Sequence, residues 1–493
     1  MADWERFFVD GPEAASGRCE LVSGAVPPDL TGSFVRNGGG RFRVGRDRVG
    51  FFDAHSLVGA VGFRDGKAWW RAAMVDTPLA REEVAAGRVT RRRTWASGHG
   101  GWWMNALQGV AAEPASHDAF AWRGRLLASG VGASQALDRS LRTLGGTRVD
   151  PGATRAARAA PMPQLDPVTG HLVGFTLQSG GLRADHIGFV EAHADGTVRR
   201  APWVALGGAG AVVHAVAVSA RWYVAVELPG RLARLPALFG TSTLADALRA
   251  PDGATCTLVL APRGRAGAPV RIPLPGAAAI LHVANAFDDG GLLVVDAAVH
   301  AKPPDLGAVG LGAPPTGSPP ALVRYVVNPD ARTVAAEPVA GPASDCAAVD
   351  PRRRGARARW LWGPVPGDGP VPDFYGYYRG IARFEPGGAV ADSWMAEGDG
   401  LVSPPALAPE AGSDAEGRGW LLAWVTRPEG TSVVVLDPLD LAAGPFAELA
   451  LGVALPVPGH CRFLADFMVT APDEDDWPVA SREDAIRSIS IGG

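Results

Sequence analysis

At 493 residues, 47% of them apolar, the chain is long enough to bury a large core, and glycine (64) with proline (42) makes up more than a fifth of it without a short period. That composition excludes a disordered or fibrous chain and points to many turns around a folded core. A formal net charge of −4 provides no global basic field, which argues against nucleic acid as a partner. The four cysteines (Cys19, Cys256, Cys346 and Cys461) have no metal-binding spacing and are too few for a disulfide framework, so a reducing compartment is expected. The first residues lack the pattern of a signal peptide, and no uninterrupted apolar run approaches about 20 residues, the span of a membrane helix. The expectation is a soluble, cytoplasmic protein. The basic runs Arg91-Arg92-Arg93 and Arg352, Arg353, Arg354, Arg357 and Arg359 read as solvated loop charge.

In chain order, residues 18–36 read as a strand running into a tight loop at Gly38-Gly39-Gly40, where glycine supplies positive φ. A glycine run can cradle phosphate if a helix follows, but Arg41-Phe42-Arg43-Val44 continues as strand. Asp65-Gly66 between two apolar stretches is a hairpin signal. Asp166-Pro167-Val168-Thr169-Gly170 and Asp195-Gly196 read as turns, and Arg221–Val226 and Gly419–Val425 as strands. Residues 231–249 are compatible with a short amphipathic helix carrying Leu232, Leu235, Leu238 and Phe239 on one face. That face either packs on the core or touches a membrane or a greasy substrate. The stretch Ile280-Leu281-His282-Val283-Ala284-Asn285-Ala286-Phe287-Asp288-Asp289 places a histidine after an apolar run, with two carboxylates following and a buried strand entered through Gly290-Gly291. His282 is therefore a candidate metal ligand; the competing reading is a core histidine bonded to backbone. The acidic segment Asp473-Glu474-Asp475-Asp476 opens a tail that reads as a surface extension. A strand and a turn every 8–12 residues indicate a sandwich, barrel or propeller. No strict repeat fixes a blade number. Nucleophile elbow, zinc-protease helix and Walker loop are all absent.

Five stretches, in order, resemble the carotenoid cleavage oxygenase family: Pro28-Asp29-Leu30-Thr31-Gly32 with Arg36-Asn37-Gly38; Phe52-Asp53 through Ala60; Asp166-Pro167-Val168-Thr169-Gly170; His282 with Asn285-Ala286-Phe287; and Pro456-Val457-Pro458-Gly459-His460. The resemblance implies an all-β, seven-bladed β-propeller with a loop and helical cap over an axial metal site. One domain would span residues 1–471, with an acidic and polar extension over 472–493. It also implies Fe(II) on the axis, held by four histidines from different blades. His214, His282 and His460 match three of these. The fourth position, directly ahead of Pro163, is Met162, whose soft thioether suits iron poorly. Family carboxylates that orient the ligands align with Asp345, Val131 and Ser403, so only Asp345 keeps a carboxylate.

The implied activity is oxygen-dependent cleavage of a conjugated C=C in a carotenoid, apocarotenoid or stilbene, with a hydrophobic small molecule and O2 as partners and peripheral membrane contact as an option. The alternative is a catalytically impaired relative that binds a hydrophobic isoprenoid or a partner without cleaving it.

Overall fold

A computed structural model describes residues 3–472, apart from segments 97–100, 109–113, 131–133, 149–157, 181–182, 305–317 and 368–377, several positions within 234–247, and residues 265 and 389. The chain folds into seven antiparallel sheets arranged as a β-propeller, with one small additional hairpin at Arg43–Val44 and Asp47–Arg48.

Blade 1 is built on Gly32–Arg41, His55–Arg64 and Lys67–Met74, and blade 2 runs from Asp118–Trp122 to Thr143–Thr147. Blade 3 is built on Leu172–Gln178 and His186–Ala192, blade 4 on Ala211–Val218 and Trp222–Leu232, and blade 5 on Ala279–Asp289 and Leu292–His300. Blade 6 holds Leu361–Val365, Gly380–Phe384 and Val390–Met395. Blade 7 holds Gly419–Arg427, Gly430–Leu436 and Pro445–Ala450. Two exchanged strands close the ring. Glu20–Gly24, from the N-terminal part of the chain, pairs with Pro445–Ala450 of blade 7. His460–Leu464, from the C-terminal part, pairs with Gly32–Arg41 of blade 1.

Central strands such as Trp222–Val226 and Leu421–Val425 are buried continuously rather than on alternate residues. The cause is that each blade is covered on both faces by its neighbours, so period-2 patterning is lost. Separate apolar clusters join every adjacent pair: blades 1 and 2 around Val58, Trp69 and Leu126; 2 and 3 around Phe120 and Leu172; 3 and 4 around Phe189 and Tyr223; 4 and 5 around Val224 and Val295; 5 and 6 around Leu322 and Phe384; 6 and 7 around Trp362 and Leu421; 7 and 1 around Phe34 and Trp424.

Local chemistry accounts for the turns. Asp65 (φ 52°) and Gly66 (φ 69°) form the two-residue turn between Arg64 and Lys67. In the 166–170 turn the Asp166 carboxylate accepts from the Val168 N–H (3.0 Å) and the Thr169 hydroxyl (2.8 Å), an Asx-type turn. A further apolar cluster includes Phe7, Phe8, Phe42, Phe51 and Val457. The helix Pro78–Ala86 begins at Thr77, whose hydroxyl accepts from the Ala80 N–H at 3.0 Å, and ends at the left-handed Gly87.

Three expectations are corrected. The glycines at 38–40 lie inside the strand Gly32–Arg41 rather than in a loop. They are needed for close approach, since a Cβ on Gly38 would lie 2.6 Å from the Gly459 nitrogen and one on Gly40 2.3 Å from Leu57 Cβ. Within residues 231–249 Leu232 lies on no helix face: Arg231 and Leu232 end a strand and pair with Arg249 and Leu248, while Leu235 and Pro236 are helical, with the Phe239 N–H donating to the Leu235 carbonyl at 2.8 Å. Leu235 and Phe239 are exposed, and Leu238 lies outside the described residues. The basic runs are solvated only in part, Arg357 and Arg359 being 67% and 65% exposed. Arg93 is buried against Glu83, Arg352 is paired with Asp350, and Arg354 is buried deeply enough to push its guanidinium down to about 10. Val131 and the tail 473–493 lie outside the described residues.

Candidate metal centre

His214, His282 and His460 sit on edge strands of three different sheets, and the fold brings their rings together. The His214 and His282 centroids are 5.8 Å apart and those of His282 and His460 5.1 Å. Backbone irregularities aim them. The ladder of Ala211–Val218 slips between Val213 and Val216, on either side of His214. That of Ala279–Asp289 slips between Ile280 and His282 and again between Val283 and Asn285. Such bulges re-aim a side chain at the rim of a closed sheet. His460 opens its strand opposite Asn37, and the Gly459 N–H donates to the Asn37 carbonyl at 2.8 Å.

Asp345, from the connection between blades 5 and 6, accepts from His282 Nδ1 at 2.7 Å. Burial raises the Asp345 carboxyl, but the facing His282, with His300 and the Cys346 N–H, more than offsets it and leaves the acid below its ordinary value. An ionised acceptor fixes the proton on Nδ1, and the lone pair of His282 is therefore on Nε2. The carboxylates next to His282 in sequence serve elsewhere. Asp288 accepts from the Arg221 N–H at 2.9 Å and Asp289 pairs with Arg357. Asn285 holds the 353–356 loop through the Gly355 N–H (3.0 Å) and the Ala356 carbonyl (2.8 Å).

A fourth imidazole joins the group, at a place the sequence motifs did not mark. His117, one residue before the first strand of blade 2, has its ring centre 5.9 Å from that of His214. Burial and the neighbouring His282 push His117 down to about 4; burial and the other imidazoles hold His214 and His460 well below their ordinary value. These three are neutral near pH 7, the state in which imidazole binds metal. Met162 is half-buried, between Pro161 and Pro163. His171 is bonded to Glu191 at 2.8 Å and stacked on His193, and His186 lies in the middle ladder of blade 3, opposite Gln178.

Cys346 Sγ lies 3.3 Å from His282 Nδ1, the nitrogen that Asp345 already holds. Burial and Asp345 keep that thiol far above its ordinary value. Ser403 is buried; its hydroxyl accepts from the Trp424 N–H at 3.0 Å and donates to the Pro404 carbonyl at 2.9 Å. A cleft lined by Phe8, Phe51, Tyr378, Val402, Pro404 and Val457 reaches Cys346, Ser403 and Gly459 beside this group.

The donor set fits a borderline metal such as iron, being imidazole nitrogen with one tautomer fixed by a carboxylate. Neighbouring ring centres lie 5.1 to 5.9 Å apart, and ligand atoms of His282, Cys346 and His460 all lie within 4.8 Å of one another.

Fold and site together define a propeller with an axial histidine cluster. The chain belongs to the RPE65 (retinal pigment epithelial membrane protein)/carotenoid oxygenase family, whose model matches residues 9–465. It is 26% identical over 490 residues to apocarotenoid-15,15'-oxygenase of Synechocystis sp., covering 93% of this chain and 95% of that one. It is 26% identical over 476 residues to lignostilbene-alpha,beta-dioxygenase isozyme III of Sphingomonas paucimobilis, covering 88% and 91%. A solved Synechocystis apocarotenoid oxygenase superposes with a TM-score of 0.85 at 25% identity, covering 94% of this chain and 98% of that one.

Proposed function

We propose that this protein is a non-haem Fe(II)-dependent oxygenase that splits a conjugated C=C of a carotenoid, apocarotenoid or stilbene into two carbonyl products. One observation carries the reading: His214, His282 and His460, from three sheets, converge with ring centres 5.1 and 5.8 Å apart, and Asp345 fixes the proton of the central one. Ferrous iron, when bound, supplies activation of O2 beside an electron-rich double bond. The protein's own residues do the rest. Asp345 keeps the His282 proton on Nδ1 and so directs Nε2 to the metal. Neutral His214 and His460 need lose no proton before binding. Phe8, Phe51, Val402 and Val457 give the cleft beside Cys346 and Ser403 an apolar lining, the surface that a greasy substrate would meet.

Exposed Trp102, Trp103, Leu235 and Phe239 support peripheral contact with a membrane as the source of such a substrate; liposome flotation tests this, and binding unchanged when Trp102 and Trp103 become Ser would contradict it. No helix among the described residues is long and apolar enough to cross a membrane.

The activity test is incubation of the ferrous protein under 18O2 with a β-apocarotenal and a hydroxystilbene. Cleavage with label in both carbonyls supports the reading. Met162 and Ser403, which offer neither imidazole nor carboxylate, favour a second reading in which an isoprenoid is bound and not cleaved. Tight binding of the same compounds without turnover would select it.

A further inference from the structure

We propose that His117 is the fourth metal ligand, replacing the donor that Met162 does not provide. This rests on the ferrous reading above and deepens it. His117 and His460 stand at the starts of their strands, and His214 and His282 on irregular stretches of theirs; these are the places where a propeller turns side chains inward. Its ring adjoins His214 at 5.9 Å, and its Nδ1 is buried without a hydrogen-bond partner among the described residues. A buried imidazole nitrogen left unbonded is costly unless something binds it.

The backbone around His117 is fixed as a ligand's should be. The Asn37 amide donates to the carbonyls of Ala115 (2.9 Å) and Asp118 (2.8 Å), bracketing the histidine, and the His117 N–H donates to the Ser129 carbonyl at 3.0 Å. Asn37 is also the ladder partner of His460, so one residue sets His117 through its side chain and His460 through its main chain.

The same region explains how a ligand can come from either of two positions. Ser129 Oγ lies 2.6 Å from the Pro161 carbonyl and 3.1 Å from that of Asp118. Arg462 pairs with Asp118 and donates to the Pro163 carbonyl at 2.8 Å. The backbone on both sides of Met162 is thus tied to the residue that follows His117. Positions 117 and 162 are therefore neighbours in the main chain's packing, and this chain places its imidazole at 117.

The test uses the full chain loaded with Co(II), whose bound imidazoles each give one strongly shifted, exchangeable N–H proton resonance. Four such signals are expected, and three in His117→Gln, with cobalt affinity at least about 10–100-fold weaker, as for loss of an orienting partner. Adding Met162→His to that variant restores the fourth signal. Three signals in the native protein, or unchanged signals and affinity in His117→Gln, would overturn the assignment and leave the metal reading standing. No cobalt and no ferrous binding by the native protein would overturn both. The signal count in the unaltered chain decides the matter even where His117→Gln fails to fold.

Discussion

Asp345 acts on the site through one proton. Its carboxylate faces His282 Nδ1 at 2.7 Å and lies 4.0 Å from His300 Nε2, while His300 Nδ1 is engaged by the Ser318 carbonyl at 2.9 Å. Replacing it by Ala leaves the His282 N–H without its acceptor and both tautomers accessible. Ferrous affinity should then fall about 10–100-fold, with stability lowered by about 1–3 kcal/mol; anaerobic titration checks the first and urea unfolding the second. Affinity unchanged in Asp345→Ala would remove Asp345 from the site. His282 and Asp345 were each readable through the family resemblance, as a ligand and an orienting carboxylate, but their pairing was not and comes from the 2.7 Å contact. His117 was not readable. Ser116-His117-Asp118 carries no spacing that marks a ligand, and its place follows only from Asn37, 80 positions away, clamping the backbone on either side of it. The signal available was weaker: a histidine directly before a strand, in a chain whose other ligand candidates occupy similar places.

At the scale of elements, blades 3 and 4 are joined by charge as well as by apolar packing. Arg263 reaches Asp166 and Glu191, each at 2.6 Å, and the Tyr223 hydroxyl donates to Glu191 at 2.6 Å. Burial raises Glu191, but Arg263, Tyr223 and His171 together bring it down to about 2. A carboxylate depressed from 4.5 binds fewer protons folded than unfolded. Its stabilisation is present above pH 4.5 and is lost as pH falls toward 2. Arg263→Ala should therefore move the acid-unfolding midpoint to higher pH, read by circular dichroism; an unmoved midpoint would show that this network does not hold the blades. The turn at 166–170 was visible in the sequence because Asp, Pro and Gly each have a local reason to be there. The role of Asp166 in joining blades was not, since Arg263 is 97 positions distant. The glycines at 38–40 misled for a related reason. Glycine marks both loops and close packing, and only the facing Gly459 and Leu57 distinguish the two.

For the whole molecule, stability depends on closing the ring. Blade 7 borrows a strand from the N-terminal part of the chain and blade 1 one from the C-terminal part, and their shared core is centred on fully buried Trp424, stacked on Phe34 at 5.5 Å with the Arg36 guanidinium over its ring. Trp424→Ala should cost about 3–5 kcal/mol, measured by denaturant unfolding; a loss below about 1 kcal/mol would mean that this interface does not close the ring. Strand and turn were readable throughout, but blade number was not. Blades of three to six strands with unlike turns leave no sequence period to count, and the family resemblance supplied that number.

The proposed function depends on metal, and iron content tests it most directly. Protein purified without oxygen and loaded with ferrous salt should retain close to one iron per chain after desalting, with the thermal midpoint raised by iron and returned by a chelator. No retained iron, and no shift of the midpoint, would contradict an iron-dependent oxygenase.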